Sequence, residues 1–161
     1  MAFGAPVTLE ILTIGHSNVP AVRIVELLRQ HAVAVVVDVR GVPYSRHNPQ
    51  FNRETWQRTL AKAGIAYVPM GDALGGQPGP DGLLAPERGE QWEQGLVRLL
   101  ELAAQQRTAL LCAEEDPQRC HRGLLIAPAL IERGVVVWHI RGDGRLERAE
   151  REEAARQLPL F

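Results

Sequence analysis

The chain has 161 residues, of which 45% are hydrophobic and 23% are charged, a composition typical of a globular domain rather than a disordered, collagen-like or disulfide-rich protein. Eighteen Lys and Arg residues against nineteen Asp and Glu give a formal net charge of -1, so we expect no bulk nucleic-acid binding. The sequence contains neither a signal-peptide pattern nor an apolar run of the roughly 20 residues that a membrane span needs. We therefore expect one domain over 1–161, in the cytoplasm and without membrane contact.

Five short apolar runs rich in β-branched residues recur along the chain. They predict strands at 8–14, 34–39, 65–68, 108–111 and 135–140. Three intervening stretches, 24–31, 56–63 and 92–103, place apolar residues three or four positions apart, which is the spacing of amphipathic helices. This alternation predicts an α/β fold: a single-domain, mostly parallel sheet with helices on both faces, in a Rossmann-like or flavodoxin-like three-layer arrangement.

Turn and capping residues agree with these boundaries. Asn52 is a candidate N-cap of the second helix, Gly64 and Gly134 are candidates to end helices in a left-handed conformation, and Asp116 before Pro117 favours a helix start.

Two segments have no place in the alternation of strands and helices. Residues 69–90 contain six glycines and four prolines, which predicts a long loop of the kind that often serves as a functional lid. In the tail, at about 145–158, opposite charges four positions apart predict a solvated helix.

Ionisable residues follow three of the predicted strands. Because the carboxyl ends of parallel strands meet at one edge of a sheet, where α/β proteins bind ligands, we expect these side chains to share a pocket. Arginine suits an anionic ligand because its guanidinium forms paired hydrogen bonds with carboxylates and phosphates. The candidate substrate-binding residues are Ser17, Asp38, Arg40, Ser45, Arg46 and Arg122, together with Gly75 and Gly76, which would let the long loop close.

The candidate acid–base residues are His16, Glu114 and His121. Glu114 directly follows a buried strand and is a candidate general base, the alternative being a surface carboxylate. His16 follows a glycine, so a purely structural role at a tight turn is an equal alternative. Asp38 and Arg40 lie two positions apart on one strand face, so a structural ion pair is an equal alternative to substrate binding.

The two cysteines, Cys112 and Cys120, are expected to form a reduced intracellular pair rather than a disulfide. Near a helix N-terminus Cys120 is a candidate nucleophile, with His121 or His16 as its base, although buried cysteines usually only pack. The same residues could instead hold zinc. Their Cys-x7-Cys-His spacing matches none of the usual zinc motifs, so we predict no metal and no cofactor.

Six short motifs stand out in this sequence: TIGHS at 13–17, VDVR at 37–40, GIAY at 64–67, LGG at 74–76, LCAE at 111–114 and CHR at 120–122, accompanied by Pro43, Ser45, Arg46 and Pro117. As a set they resemble a large family of bacterial and archaeal proteins catalogued as a domain of unknown function. The resemblance covers about the first 125 residues and the last predicted strand. It implies a small α/β domain with these polar residues as its hallmark, and it implies no particular reaction.

The sequence thus predicts an enzyme, either a hydrolase or a group transferase, that acts on a small anionic or nucleotide-like substrate at the carboxyl edge of the sheet. His16, Glu114, His121 and Cys120 are its candidate catalytic residues. One alternative is a non-catalytic module that binds a nucleotide or a nucleic-acid end, in which the arginines matter and Glu114 does not. Another is a metal-binding protein that uses the cysteines and histidines.

Overall fold

Six strands form one sheet in the computed structural model, which describes residues 8–150. The order across the sheet is β3-β2-β4-β1-β5-β6; the first five strands in the chain run parallel and β6 is antiparallel to β5. The strands are β1 (Glu10–Gly15), β2 (Val35–Asp38), β3 (Ala66–Pro69), β4 (Thr108–Cys112), β5 (Val136–Ile140) and β6 (Leu146–Arg148). The predicted α/β class and mostly parallel sheet are confirmed.

Helices cover both faces of this sheet. They are α1 (Ala21–Gln30), α2 (Arg53–Lys62), α3 (Gly71–Leu74), α4 (Glu90–Gln105) and α5 (Ala127–Glu132). Successive residues of a strand point to opposite faces, so each central strand contributes to two cores. Leu12 and Val36 pack with α1 and α2, whereas Ile11 and Val37 pack with α3, α4 and α5. The three-layer arrangement follows directly from the helical periodicity and the uninterrupted apolar strands.

The connections define a crevice at the carboxyl edge of the sheet. β1 and β2 lead into α1 and α2 on one face, whereas β4, which lies between them, leads into α5 on the other face. Loops that leave adjacent strands in opposite directions open a space above the strand ends, and α/β proteins bind their ligands there.

Most of the predicted local signals are present. Gly64 and Gly134 have φ angles of 77° and 81° at the ends of α2 and α5, and the Asp116 side chain accepts a hydrogen bond from the Gln118 backbone. Asn52 occupies the N-cap position of α2 but makes no side-chain cap bond there. Its Oδ1 instead accepts a hydrogen bond from the Ser45 backbone at 2.7 Å, so this part of the capping prediction is wrong.

Two further segments differ from the prediction. The long loop contains α3 and a 3-10 turn at Ala85–Arg88. The tail helix is wrong at its start, because Leu146–Arg148 forms β6, Glu147 pairs with Arg141 and residues 149–150 are not helical; residues 151–158 of the predicted helix fall outside the described residues. Among residues 8–150, no helix has the length and apolar character required to cross a membrane.

The segment between β4 and α5 contains a π-helical turn, which is wider than a turn of α-helix. Residues Arg122–Ile126 form a π-helical turn that leads directly into α5. Pro128 stands in the first turn of α5 and has no N–H to donate to the preceding turn, which accounts for the irregular winding. Arg122 is the first residue of this wider turn, and His121 directly precedes it.

Candidate functional site

A cleft of about 300 Å³ opens at the carboxyl edge of the sheet, in the crevice above β2 and β4. Polar side chains from three loops line it together with both cysteines. The residues that line the cleft are Arg40, Gly41, Val42, Gly76, Gln77, Cys112, Ala113, Glu114, Arg119, Cys120 and His121. The structure therefore brings Arg40, Glu114, Cys120, His121 and Gly76 of the predicted set to one place.

Arg40 forms the wall of the cleft nearest β2 and is held by a buried ion pair. Its Nε and Nη2 donate to the two carboxylate oxygens of Asp38 at 2.9 and 2.7 Å. The Tyr67 hydroxyl also donates to Asp38 at 2.5 Å, and burial together with this bond raises the pKa of the phenol. The structural ion pair considered for Asp38 and Arg40 is present, and the same Arg40 side chain also faces the cleft.

His16 lies behind Arg40 rather than in the cleft. Its Nε2 accepts from Arg40 Nη1 at 3.3 Å, and its Nδ1 donates to the Ser17 carbonyl at 2.6 Å. The ring stacks on Phe51 with centroids 4.3 Å apart. Burial lowers the pKa of His16 to about 4, so the ring is neutral near pH 7. With both ring nitrogens engaged, His16 positions Arg40.

Arg122 is completely buried and does not line the cleft. Its Nη1 and Nη2 donate to the backbone carbonyls of Glu114 and Glu115, and its Nε donates to Thr13 Oγ1 at 3.1 Å. Burial lowers the pKa of Arg122 to about 10, which still leaves it charged near neutral pH. The structure thus places this predicted anion ligand inside the loop after β4, where it fixes the loop backbone.

The two glutamates of that loop face different surroundings. Glu115 accepts two hydrogen bonds from Arg141 and one from the Gly142 backbone, and the bonds to Arg141 are the main cause of its lowered pKa. Glu114 is exposed and lines the cleft, where the only hydrogen bond of its carboxylate within residues 8–150 is a 3.4 Å contact from the Asp116 backbone. Glu114 is therefore the carboxylate available to a ligand.

Cys112 and Cys120 are joined by a disulfide, so the expectation of a reduced pair is wrong. In this form Cys120 has no free thiol with which to act as a nucleophile. His121 lies beside the pair: its Nε2 donates to the Val39 carbonyl at 2.9 Å, while its Nδ1 lies 3.9 Å from Cys112 Sγ and 3.7 Å from Cys120 Sγ. Burial is the main cause that lowers the pKa of His121.

One cluster of possible metal ligands occurs in residues 8–150. It consists of Cys112, Cys120 and His121, whose donor atoms all lie within 4.8 Å of one another. His16, considered from the sequence as a fourth ligand, is not part of it.

The remaining predicted residues support loops near the cleft. Ser17 adopts a φ of 52° and its backbone N–H donates to the Ala113 carbonyl at 2.8 Å. Ser45 Oγ accepts from the backbone of His47 and Asn48. Arg46 is exposed and does not line the cleft.

The two glycines of the long loop allow close packing. A Cβ on Gly75 would lie 2.3 Å from the Gly71 carbonyl oxygen, and one on Gly76 would lie 2.8 Å from the His121 ring. These contacts give both glycines a steric role in the observed conformation, whereas their predicted part in lid closure remains a prediction.

Sequence reasoning missed Arg119. This exposed residue lines the cleft, and its side chain makes no hydrogen bond or ion pair with the rest of the described chain, whereas its backbone N–H donates to the Asp116 carbonyl. The signal was its position in the dense polar stretch 112–122, directly before Cys120 and His121, but the CHR motif indicated Arg122 instead.

Comparison with known protein families adds one finding. The family model described as Domain of unknown function DUF488 matches residues 20–81 and 84–128, which is more than half of the chain. The chain belongs to this family. The match spans β2, β3, β4 and the loops that line the cleft, so DUF488 membership covers most of the candidate site. No curated protein and no solved structure is significantly similar to this DUF488 chain.

Proposed function

We propose that the protein is an enzyme, a hydrolase or group transferase, that acts on a small anionic or nucleotide-like substrate in the cleft. The observation that carries this proposal is that two side chains of opposite charge line the same cleft. The guanidinium of Arg119 has no partner among the described residues, and the carboxylate of Glu114 is available to a ligand. The crevice in which they lie is where α/β proteins of this kind bind ligands.

Arg119 supplies the charge that attracts the substrate. The positive charge of Arg40 is balanced by Asp38 within the wall of the cleft, so Arg40 contributes a fixed guanidinium edge more than a net charge. A phosphate or carboxylate placed between the two arginines would receive hydrogen bonds from both. Arg40 is held rigidly by Asp38, so it orients the anion. Arg119 is exposed, so its side chain encloses the anion from the solvent side.

Glu114 takes the acid–base role in this proposal. His16 is neutral and engaged at both nitrogens, and His121 donates its Nε2 proton to Val39, so neither is as free as Glu114 to exchange a proton with a substrate. The Arg122 guanidinium holds the carbonyls of Glu114 and Glu115. The base is thereby carried on a fixed backbone beside the anion site.

Ligand binding is tested by thermal denaturation in the presence of inorganic phosphate, ribose 5-phosphate and nucleoside mono- and diphosphates. At least one of these probes should raise the Tm of the wild type. Arg119→Ala should abolish the shift, whereas Arg98→Ala, which removes an exposed arginine from α4, should retain it. Equal shifts in both variants would contradict an anion site at Arg119.

Turnover then separates an enzyme from the binding module considered as its alternative. For a ligand found in this way, Glu114→Gln should lower the rate of product formation by about 10² to 10⁴ while the Tm shift persists. A ligand that binds both forms equally and is not converted by the wild type would favour the non-catalytic module.

A further inference from the structure

The three possible metal ligands form a compact group at the floor of the cleft. Cys112 is the last residue of β4, and Cys120 and His121 come from the turn that leads into the next helix. All three line the cleft, and each cysteine is only 6% exposed. An ion held by these three side chains would be shielded from bulk water on the protein side and accessible from the cleft.

The orientation of His121 suits metal binding. Because its Nε2 donates to the Val39 carbonyl, the proton of the neutral ring resides on Nε2 and the lone pair of Nδ1 points toward the sulfurs. Metal-bound histidines are commonly oriented in this way, with the second ring nitrogen donating to a backbone carbonyl or a carboxylate. The backbone of β2 thus presents Nδ1 as a ligand.

In the disulfide form, the distances from His121 Nδ1 to the two sulfurs already approach those at a shared ion, and reduction frees the sulfurs to separate around it. A sulfur and a nitrogen bound tetrahedrally to zinc, at about 2.3 Å and about 2.0 Å, lie about 3.5 Å apart. The corresponding distances from His121 Nδ1 are 3.7 Å to Cys120 Sγ and 3.9 Å to Cys112 Sγ. The Cα atoms of the two cysteines are 7.4 Å apart, a wider spacing than the roughly 4.4–6.8 Å usual for a disulfide.

The charge balance permits a cation among several arginines. Two thiolates cancel the charge of a divalent ion, so the complex with a neutral His121 adds no net charge beside Arg40 and Arg119. Thiolate and imidazole are ligands that zinc accepts readily, and three protein ligands leave one coordination position for water or substrate.

From this arrangement we infer that the reduced protein binds one divalent zinc-type ion through Cys112 Sγ, Cys120 Sγ and His121 Nδ1, with its open position toward the cleft. A dithiol reductant first donates two electrons to the disulfide and becomes a disulfide itself, leaving two thiols on the protein. The ion then displaces the two thiol protons and forms two metal–sulfur bonds. Oxidation of the cysteines closes the site. This inference departs from the sequence-based expectation of no metal.

The test uses Co²⁺ as a spectroscopic substitute for zinc, with protein that has been reduced and then freed of reductant under anaerobic conditions. We expect one cobalt ion per chain, with thiolate-to-cobalt charge-transfer absorption and the visible bands of a tetrahedral centre. The disulfide form of the same protein should show neither. Zn²⁺ should displace the cobalt and abolish the bands.

Amino-acid substitutions test which side chains bind the metal ion. Cys120→Ser and His121→Ala should each weaken cobalt binding by at least about 100-fold, which is the upper end of the loss seen when only a residue that hydrogen-bonds to a metal ligand is changed. The control His47→Ala removes an exposed histidine outside the cluster and should leave binding unchanged.

Two outcomes would overturn the inference: reduced wild-type protein that gives no thiolate–cobalt bands, or a reduced Cys120→Ser variant that binds cobalt as tightly as the wild type. The first of these outcomes is measured on the wild-type protein, so it does not depend on whether a variant folds. The experiment involves no substrate, so its failure leaves the proposed function of Arg119 and Glu114 standing, and failure of the ligand screen leaves the metal site standing.

Discussion

At the scale of single residues, several polar side chains near the cleft are buried in the described part of the chain. Thr13 and His139 lie beneath the loop after β4 and are almost completely buried. Thr13 Oγ1 accepts from Arg122 and also forms a hydrogen bond with His139 Nδ1 at 2.6 Å. These hydrogen bonds link the loop after β4 through Arg122 and Thr13 to His139, and so join the loop to β1 and β5.

The neutrality of His139 makes the fold sensitive to acid. Burial lowers the pKa of His139 to about 3, against 6.5 for an ordinary histidine. Between those two pH values the unfolded chain binds a proton that the folded chain does not, so stability is retained above pH 6.5 and falls as the pH drops toward 3. His16, with a pKa lowered to about 4, acts in the same direction.

We therefore predict that the free energy of unfolding of the wild type falls from pH 6.5 to 4.5, and that His139→Gln reduces this slope by up to about 1.4 kcal/mol per pH unit. Urea denaturation at several pH values measures both slopes. Parallel curves for the two proteins would show that His139 is not the group responsible.

Single residues also show what sequence could and could not reveal. The Asp38–Arg40 ion pair was readable because the two residues lie on one strand face. The burial of Arg122 was not, since its partner Thr13 is 109 positions away and no local pattern connects them. The exposure of Arg119 depends in turn on the winding of the chain before α5, which sequence periodicity does not describe.

At the scale of elements, the loops after β1 and β4 are packed against each other without space for a side chain. A Cβ on Gly15 would lie 1.8 Å from the Glu114 carbonyl oxygen. Backbone bonds from His16 to Cys112 and from Ser17 to Ala113 join the same two loops. The position of Glu114 thus depends on the absence of a side chain at Gly15, the last residue of β1.

Gly15→Ala should accordingly destabilise the protein by about 1–3 kcal/mol or more, because the backbone of the Glu114 loop must move. Gly142→Ala is the matched control: its Cβ would meet nothing closer than Glu115 Cγ at 3.7 Å, and its effect should stay within about 0.5 kcal/mol. Urea denaturation of both variants measures the difference. Equal costs would contradict the steric argument.

Elements were predictable from the sequence where their apolar pattern was clear. The five parallel strands are short apolar runs, the three long helices have helical apolar periodicity, and all eight form as predicted. Strand β6 has only three residues, and the charge spacing around Glu147 favoured a helix. The pairing of Glu147 with Arg141, which also holds Glu115, depends on tertiary contacts that no short-range pattern contains.

At the scale of the whole molecule, the two cores on opposite faces of the sheet share their strands. Trp56 lies in the core under α1 and α2, and Trp92 in the core under α4 and α5. Because alternate residues of β1, β2 and β4 belong to each core, neither core can lose its packing without loosening the other.

This sharing predicts cooperative unfolding. A variant with Trp56 as its only tryptophan (Trp92→Phe, Trp138→Phe) and one with Trp92 alone (Trp56→Phe, Trp138→Phe) report on opposite faces by fluorescence. For each variant, the fluorescence midpoint in urea should coincide with its midpoint by far-ultraviolet circular dichroism. Separate transitions by the two probes would reveal two independently folding units and contradict the single domain expected from the sequence.

The short outer strands of the sheet limit how these molecules can associate. β3 has four residues and ends at Pro69, which has no N–H to offer a neighbouring chain, and β6 has three, two of them charged. Edges of this kind are poor templates for strand addition. Neither edge therefore favours extension of the sheet into a fibre or a strand-swapped pair, and contacts between copies would have to use helices or loops.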